Sequence, residues 1–279
     1  MPKKEKQTDL EKKEQAFQVK EPVIEEVSEE ETEETVEKII EKVPEERLGK
    51  EEMIKKRREE DKKKRQEAWA PKTRLGRDVK EGRITNIDSI FEKSVPILEA
   101  EIVDKLIPDL QSDLIAIGQS KGKFGGGKRR AWRQTQKKTA EGNVPSFSTM
   151  AIVGDSNGHI GIGMGKAKET LPAREKAIRD AKLNLMKIRR GCGSFNCACA
   201  EKHSIPSKVQ GKCGSARITL IPAPKGTGLA IEDECKKIMK IAGIKDIYSR
   251  TAGQTRTKFN LAKACVKALE NTTKIKTRK

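Results

Sequence analysis

The feature that most restricts the fold is a run of alternating glycines in residues 159–165, HIGIGMG. Gly161, Gly163 and Gly165 recur with a period of two, which places all three on one face of an extended strand. A strand face without side chains can approach another backbone very closely. The run therefore predicts a strand packed against another backbone, and the preceding DSNG, residues 155–158, predicts a tight hairpin turn.

The residues around this strand predict an α+β domain over residues 85–191. Residues 86–108 predict a short helix that ends at Pro108, and the segments DLIAIG and STMAIVG predict two further strands. After the glycine strand, Pro172 and Gly191 are typical of the start and the end of a long helix. The predicted order is helix, three strands and helix. The long helix carries one apolar stripe, formed by Ala173, Ala177, Ala181, Leu185 and Ile188.

The remaining residues, 192–279, predict a second, smaller α+β domain with a basic tail. GSARITLIPAP predicts a strand that ends at two prolines, and IEDECKKIMKIAG predicts a helix closed by Gly243. IKDIYSRT predicts a short strand, and TKFNLAKACVKALENT predicts a final helix with Phe259, Val266 and Leu269 on one face. The predicted fold class of the whole chain is therefore α+β.

The first 84 residues carry segregated charge and no sustained apolar face. Residues 21–47 hold twelve Glu against three Lys or Arg, whereas residues 51–80 are rich in Lys and Arg. Only 34% of the chain is hydrophobic, so residues 1–84 are predicted to form a charged, largely disordered extension. Two interpretations stay open: a solvated tail, or a basic arm at residues 55–80 that docks on nucleic acid.

The net charge indicates the kind of partner that the chain binds. Lys and Arg number 60 against 42 Asp and Glu, which gives a net charge of +18, and a chain this basic usually binds a polyanion. Aromatic residues make up only 3%, so binding is expected to depend on phosphates and 2'-hydroxyls rather than on base stacking. The sequence shows neither a membrane-spanning run nor a signal peptide, which favours a cytosolic protein without a membrane partner.

Enzymatic motifs fail in their letters or in their context. Neither GGGKRR nor GMGKA has the Ser or Thr that follows Gly-Lys in a phosphate-binding loop. GDSNG matches the letters of a nucleophile elbow, but a strand, not a helix, is predicted after Ser156. HExxH is absent from the sequence. We therefore expect no catalytic residues; the rival interpretation, a free RNA-modifying or phosphate-transferring enzyme, would need a paired acid and base.

Basic side chains concentrate in residues 121–190, which hold seventeen Lys or Arg against five acidic residues. Lys166 and Lys168 precede the predicted long helix, whose N-terminal amides and dipole attract phosphate. Double-stranded-RNA domains combine a three-stranded sheet with such a basic helix end; the alternative is a solvated basic face. The candidate RNA-binding residues are Lys121, Lys123, Lys128, Arg129, Arg130, Arg133, Lys137, Lys138, Lys166, Lys168, Arg174, Arg189 and Arg190.

A cluster of cysteines begins the second domain. Cys192, Cys197, Cys199 and His203 lie within twelve residues, and three cysteines with one histidine in a cytosolic protein suggest structural zinc. Their spacing, C-x4-C-x-C-x3-H, is not that of a standard zinc knuckle. Small buried thiols, with a histidine that binds RNA or backbone, are therefore the alternative, and no cofactor is certain.

Four segments carry a resemblance to a known family. AIVGDSNGHIGIGMGKAKET, AREKAIRDAKLNLMKIRRG, GKCGSARITLIPAPKGTGLA and AGIKDIYSRTAGQTRTKFNLAKA closely resemble the universal small-subunit ribosomal protein S5 family. RRGCGSFNCACAEKHSIPSKVQGKCGS looks like its archaeal branch. The resemblance covers about residues 85–272. It implies an N-terminal domain similar to a double-stranded-RNA-binding fold and a C-terminal α+β domain.

The resemblance also implies a function. Members of this family are non-catalytic constituents of the cytoplasmic small ribosomal subunit. They bind small-subunit rRNA at the junction of body and head, and they contact the neighbouring small-subunit protein four. They line the channel by which mRNA enters and are linked to decoding accuracy. Lys166 and Lys168 would meet rRNA phosphates, and TAEGNVPS, residues 139–146, would form a projecting hairpin tip.

Two segments depart from the shared family pattern. SKGKFGGGKRRAWRQ and the acidic residues 21–47 lie outside the common core and inherit no function from it. We expect the first to be an arm embedded in rRNA, because its glycines permit close approach and its basic residues neutralise phosphates. Trp132 would stack on a base or pack within the protein. The alternative function for the chain is a zinc-dependent nucleic-acid-binding regulator outside the ribosome.

Overall fold

The computed structural model describes residues 69–120, 129–199 and 201–274. Most of the predicted extension, residues 1–84, therefore lies outside the described residues. Its last part is folded: helix α1, Arg74–Lys80, is capped by Thr73, whose side chain accepts a hydrogen bond from the Gly76 amide. The folded part of the chain thus extends back to Trp69, so the first domain begins before the boundary expected at residue 85.

Three short helices build a small hydrophobic core at the start of the domain. Helices α2, Asp88–Glu92, and α3, Ala100–Leu106, follow α1, where the sequence predicts one helix over residues 86–108. The chain turns between α2 and α3 because Pro96 cannot donate a helical hydrogen bond and Ser94 has a φ of 53°. The buried residues of this core are Val79, Ile87, Ile90, Ile97, Ile102, Val103, Ile107 and Leu185.

Glu99 ties the first described residues to these helices. Its carboxylate accepts a hydrogen bond from the indole N–H of Trp69 at 2.8 Å. It also accepts hydrogen bonds from the backbone amides of Lys72 and Thr73, at 2.9 and 2.6 Å. Three donors on one carboxylate fix the path of the chain into α1, which explains why residues 69–84 belong to the folded domain and not to the extension.

A five-stranded antiparallel sheet lies at the centre of the N-terminal domain. Its strands are β1, Gln111–Leu114; β2, Trp132–Thr139; β3, Gly142–Gly154; β4, His159–Ala167; and β5, Leu185–Lys187. The long β3 pairs with β2 along its first half and with β1 along its second half, and β4 lies on its other side. β5 completes the sheet beside β4. The strands expected at STMAIVG and HIGIGMG and the hairpin turn at residues 155–158 are present. The strand expected at residues 113–118 is shifted, since β1 ends at Leu114, and the sequence pattern does not predict β2 or β5.

The glycine face of β4 packs against helix α4, Thr170–Leu183, as the sequence predicts. A Cβ atom on Gly163 would lie 2.0 Å from the backbone nitrogen of Ala181, and one on Gly165 would lie 2.0 Å from the carbonyl oxygen of Ala173. Ala173, Ala177 and Ala181 are all fully buried. Helix and strand therefore meet backbone to backbone, because neither side has a side chain larger than a methyl group at the contact.

Helix α4 ends earlier than the sequence predicts. The expected helix continues to Gly191, but the observed helix stops at Leu183, and the Asn184 side chain donates to the Asp180 carbonyl oxygen at 3.0 Å. The next residues form β5, in which Leu185 pairs with Gly161 of β4. Pairing with a sheet edge distant in sequence outweighs the helical pattern, so Leu185 and Ile188 are buried without being helical.

The C-terminal domain is a four-stranded sheet with two helices. Its elements are β6, Val209–Cys213; β7, Ala216–Pro222; β8, Leu229–Ala230; α5, Asp233–Ala242; β9, Ile247–Ala252; and α6, Lys258–Lys274. The strand order is β6-β7-β9-β8, and only β8 pairs in parallel. The predicted strands and helices are all present, and Gly243 ends α5 with a φ of 76°. Local sequence patterns do not predict β6 or the two-residue β8.

The two domains share one hydrophobic core. Ile152 and Ile160 of the first sheet belong to the same buried cluster as Leu220 and Ile238 of the C-terminal domain. Polar contacts cross the same boundary, since the Ser156 amide donates to the Ile241 carbonyl oxygen at 2.9 Å. The described residues therefore form a continuous body from α1 to α6.

His159 links β4 to helix α2 and to the hairpin turn. Its Nδ1 lies 2.5 Å from Asp155 Oδ2, and its Nε2 lies 2.9 Å from Asp88 Oδ1. The Phe91 ring stacks on the imidazole with the ring centroids 5.7 Å apart. Burial lowers the pKa of His159, but the hydrogen bonds that its ring donates to the two carboxylates outweigh this effect, so the pKa is raised above 6.5.

We expect Gly163→Ala to lower the free energy of unfolding by about 3 kcal/mol, since backbone atoms cannot yield to the new methyl group. Gly191→Ala is the matched control, because a Cβ there meets Pro206 Cβ at an ordinary 3.5 Å. Urea denaturation of the two variants and the unmodified chain measures the difference. Equal effects of the two substitutions would contradict the close packing of β4 on α4.

We expect stability to fall as pH rises above about 6.5. The raised pKa of His159 means that its contribution is complete below the unfolded value and is lost as pH rises through the folded one. The pKa values of Asp88 and Asp155 are lowered below 3.8, so their contribution is lost only in strong acid. The change in melting temperature between pH 6 and pH 9 should be smaller in His159→Gln than in the unmodified chain, and equal changes would overturn this role.

Candidate nucleic-acid interface

The hairpin formed by β2 and β3, here called the arm, exposes a row of basic side chains. β2 pairs with β3 from Trp132 opposite Thr149 to Thr139 opposite Gly142, so the expected hairpin tip is present. All residues of β2 after Trp132 are exposed. β2 after Trp132 and the first three residues of β3 are exposed on both faces, so both faces of this part of the arm are open to a partner. Its exposed basic residues are Arg133, Lys137 and Lys138.

Strand register places Arg133 and Lys166 on one face of the sheet. Both residues pair with Ser148, Arg133 from β2 and Lys166 from β4. Directly opposed residues in neighbouring strands point to the same side, and two strand spacings separate the two backbones by about 10 Å. This side is opposite to the glycine face that packs on α4. We call it the basic face. It also carries Lys137, which lies on the same side of β2 as Arg133.

A groove of about 1190 Å³ lies on the basic face. Its walls come from the residues before β2, from the sheet and from the start of α6. Arg129, Arg130 and Arg256 are exposed residues of this lining. Arg256 is not among the residues that the sequence predicts, because only the fold brings the segment before α6 beside the sheet. Lys258 also lines the groove, but it forms an ion pair with Glu232.

A second basic group surrounds the start of α4. Lys168 is exposed two residues before the helix, and Arg174 is exposed in its first turns. The N-cap residue, Glu169, makes no side-chain hydrogen bond to the first turn. The positive end of the helix dipole and these two cations form the arrangement that attracts phosphate groups.

The other candidate residues divide into three groups. Lys121, Lys123 and Lys128 lie outside the described residues. Arg189 is exposed, and its backbone amide donates to Thr272 Oγ1 at 3.1 Å. Arg190 differs from the prediction: its Nη1 donates to the carbonyl oxygens of Ser156 and Gly243, at 2.9 and 3.2 Å. Its guanidinium is therefore a half-buried link between the two domains.

The predicted metal-ligating residues converge at one point. One side-chain atom from each of Cys192, Cys197, Cys199 and His203 lies within 4.8 Å of the other three. A hydrogen bond with the Cys199 thiol, together with backbone amides and His203, lowers the pKa of Cys197 to about 6. The same thiol–thiol bond raises the pKa of Cys199 to about 11. Cys213 lies outside this group.

The fold and the charged surfaces define an α+β protein with an exposed basic face of the kind that binds nucleic-acid phosphates. No helix among residues 69–120, 129–199 and 201–274 is long and apolar enough to span a membrane. Residues 131–189 match the family model for the N-terminal domain of ribosomal protein S5, and residues 211–278 match that for its C-terminal domain. The chain belongs to the ribosomal protein S5 family.

Archaeal relatives are similar along most of the folded chain. Small ribosomal subunit protein uS5 of Nanoarchaeum equitans is 50% identical over 210 residues, covering 75% of this chain and 90% of that protein. The uS5 protein of Methanothermobacter thermautotrophicus is 47% identical with the same coverage. That of Aeropyrum pernix is 47% identical over 206 residues, 74% of this chain and 88% of that protein. The expected family, its archaeal type, the α+β fold and the absence of enzymatic activity are confirmed by these matches.

Proposed function

We propose that this chain is a structural constituent of the cytoplasmic small ribosomal subunit and that it orders small-subunit rRNA by neutralising phosphates. The observation that carries the proposal is the shared register of Arg133 and Lys166 across Ser148. That register directs two cations to one side of a sheet that α4 holds rigid from the other side. Membership of the ribosomal protein S5 family supports the same function.

Electrostatics provides the binding energy in this proposal. Each phosphate that a Lys or Arg neutralises releases condensed counterions, so affinity falls steeply with salt concentration. The basic face binds one stretch of backbone, and the start of α4 with Lys168 and Arg174 binds a second. We propose the same two domains that the sequence predicts, residues 85–191 and 192–279, except that residues 69–84 belong to the first domain.

Reversing the charge of Lys166 and Lys168 together should reduce the affinity for small-subunit rRNA by about tenfold or more and lower the salt slope by about 2. The control is Lys240→Glu with Lys267→Glu, which makes the same change in net charge at exposed positions on α5 and α6. Filter binding across a range of salt concentrations measures both quantities. A loss of affinity no greater than that of the control variant would exclude Lys166 and Lys168 as phosphate-binding residues.

The position within the subunit forms a second part of the proposal. The arm and the basic face line the channel by which mRNA enters, at the junction of body and head, and the chain contacts small-subunit protein four. From that position it influences decoding accuracy and the opening of structured mRNA. Family membership supports this part, together with an arm that projects exposed basic residues on both of its faces.

The experiment for this part is cross-linking in assembled small subunits. An mRNA with 4-thiouridine on the entrance side of the decoding site should cross-link to this chain. The same base placed on the exit side is the control and should not. Lysine-reactive cross-linking of the same subunits should join the chain to protein four. Cross-links from the entrance side that reach only other proteins would refute the proposed position.

A further inference from the structure

We propose that Cys192, Cys197, Cys199 and His203 bind one Zn²⁺ ion, which braces the connection between the two domains. Three thiolates and one imidazole nitrogen form a complete ligand set for structural zinc.

Distances in the cluster are close to those of a tetrahedral site. Zinc–sulfur bonds of about 2.3 Å and zinc–nitrogen bonds of about 2.0 Å give ligand–ligand distances of about 3.5–3.8 Å. Cys197 Sγ lies 3.7 Å from His203 Nε2, and all four ligand atoms lie within 4.8 Å of one another. The two sulfurs of Cys197 and Cys199 are closer, at 3.0 Å. A tetrahedral ion would require these two sulfurs to move apart to about 3.8 Å.

The histidine is oriented as a metal ligand. His203 is buried, with 4% of its surface exposed, and its Nδ1 lies 2.8 Å from Asp246 Oδ2. The other carboxylate oxygen of Asp246 accepts hydrogen bonds from the amides of Gly226 and Gly228, at 3.1 and 2.8 Å. With the Nδ1 proton directed at a fixed carboxylate, the lone pair of Nε2 faces the thiols. A carboxylate behind a ligating histidine is the usual support in zinc sites.

A lysine near the cluster balances the charge that a bound zinc ion would leave. A zinc ion with three thiolates and a neutral histidine has a net charge of −1. The ammonium group of Lys225 lies beside this cluster, where it also pairs with Glu201 at 2.7 Å, and it offsets the remaining negative charge.

The local fold indicates why a cross-link is needed here. Gly191 and Ser204 exchange two backbone hydrogen bonds of 2.9 Å, which close the neck of a loop that holds all four ligands. The described residues between them contain neither helix nor strand, and Phe195 is fully exposed. Such a loop buries little apolar surface of its own, so a metal ion supplies the stabilisation that a core provides elsewhere.

A disulfide between Cys197 and Cys199 is the competing interpretation of the short sulfur–sulfur distance. It uses two of the four groups and gives no role to Cys192 or to the orientation of His203. The zinc site uses all four groups together with Asp246. Reduced thiols are also the default for a chain that functions in the cytoplasm.

Metal analysis of the full-length chain tests the site. The purified protein should contain one zinc per chain by plasma mass spectrometry, and after chelation a thiol reagent should react with three more cysteines than before. Cys199→Ser should lose the metal, whereas Cys213→Ser, outside the cluster, should keep one zinc per chain. Asp246→Asn should weaken zinc binding by about 10- to 100-fold.

Three results would overturn the site: no zinc in the unmodified chain, equal zinc in Cys199→Ser, or a Cys197–Cys199 disulfide in protein prepared under reducing conditions. If Cys199→Ser does not fold, Co²⁺ substituted into the unmodified chain decides the question. Intense visible absorption with sulfur-to-cobalt charge transfer supports four tetrahedral thiolate and imidazole ligands. The weak spectrum of octahedral cobalt refutes them.

Discussion

The close contact between the glycine face of β4 and the alanine face of α4 determines the geometry of the N-terminal domain. The backbone of α4 lies where Cβ atoms on Gly161, Gly163 and Gly165 would stand, so this position of the helix on the sheet requires glycine at all three sites. That position commits one side of β4 to packing, so the alternate residues face away, and Lys166 is exposed among them. The contact that stabilises the domain thus also decides which cations are available to RNA.

Much of this fold follows from local patterns in the sequence. The period-two glycines, the alanine stripe and the turn at residues 155–158 all act over a few residues, and each is found as expected. The end of α4 is different, because Leu185 and its neighbours leave a helical pattern to pair with β4. A single sequence contains no signal for a pairing of this kind, which also explains why β6 and β8 are missed.

The residues of the candidate sites could likewise be predicted from the sequence only in part. The spacing of Cys192, Cys197, Cys199 and His203 already suggested one cluster, whereas Asp246 joins it only through the fold. Basic composition alone cannot separate Arg190, which bridges two carbonyl oxygens, from Arg189, whose side chain is exposed. The sequence does not predict Arg256 as part of the groove, because no motif precedes α6. Charge predicts a partner class, but strand register and burial decide which charges can reach it.

The hydrophobic core shared by the two domains has a mechanical consequence. A hinge requires a boundary that can slide or open, and here Ile152 and Ile238 belong to one packed interior. Two RNA segments bound by this body in the proposed function would therefore be held at a constant mutual distance and angle, and the protein would act as a rigid spacer between them.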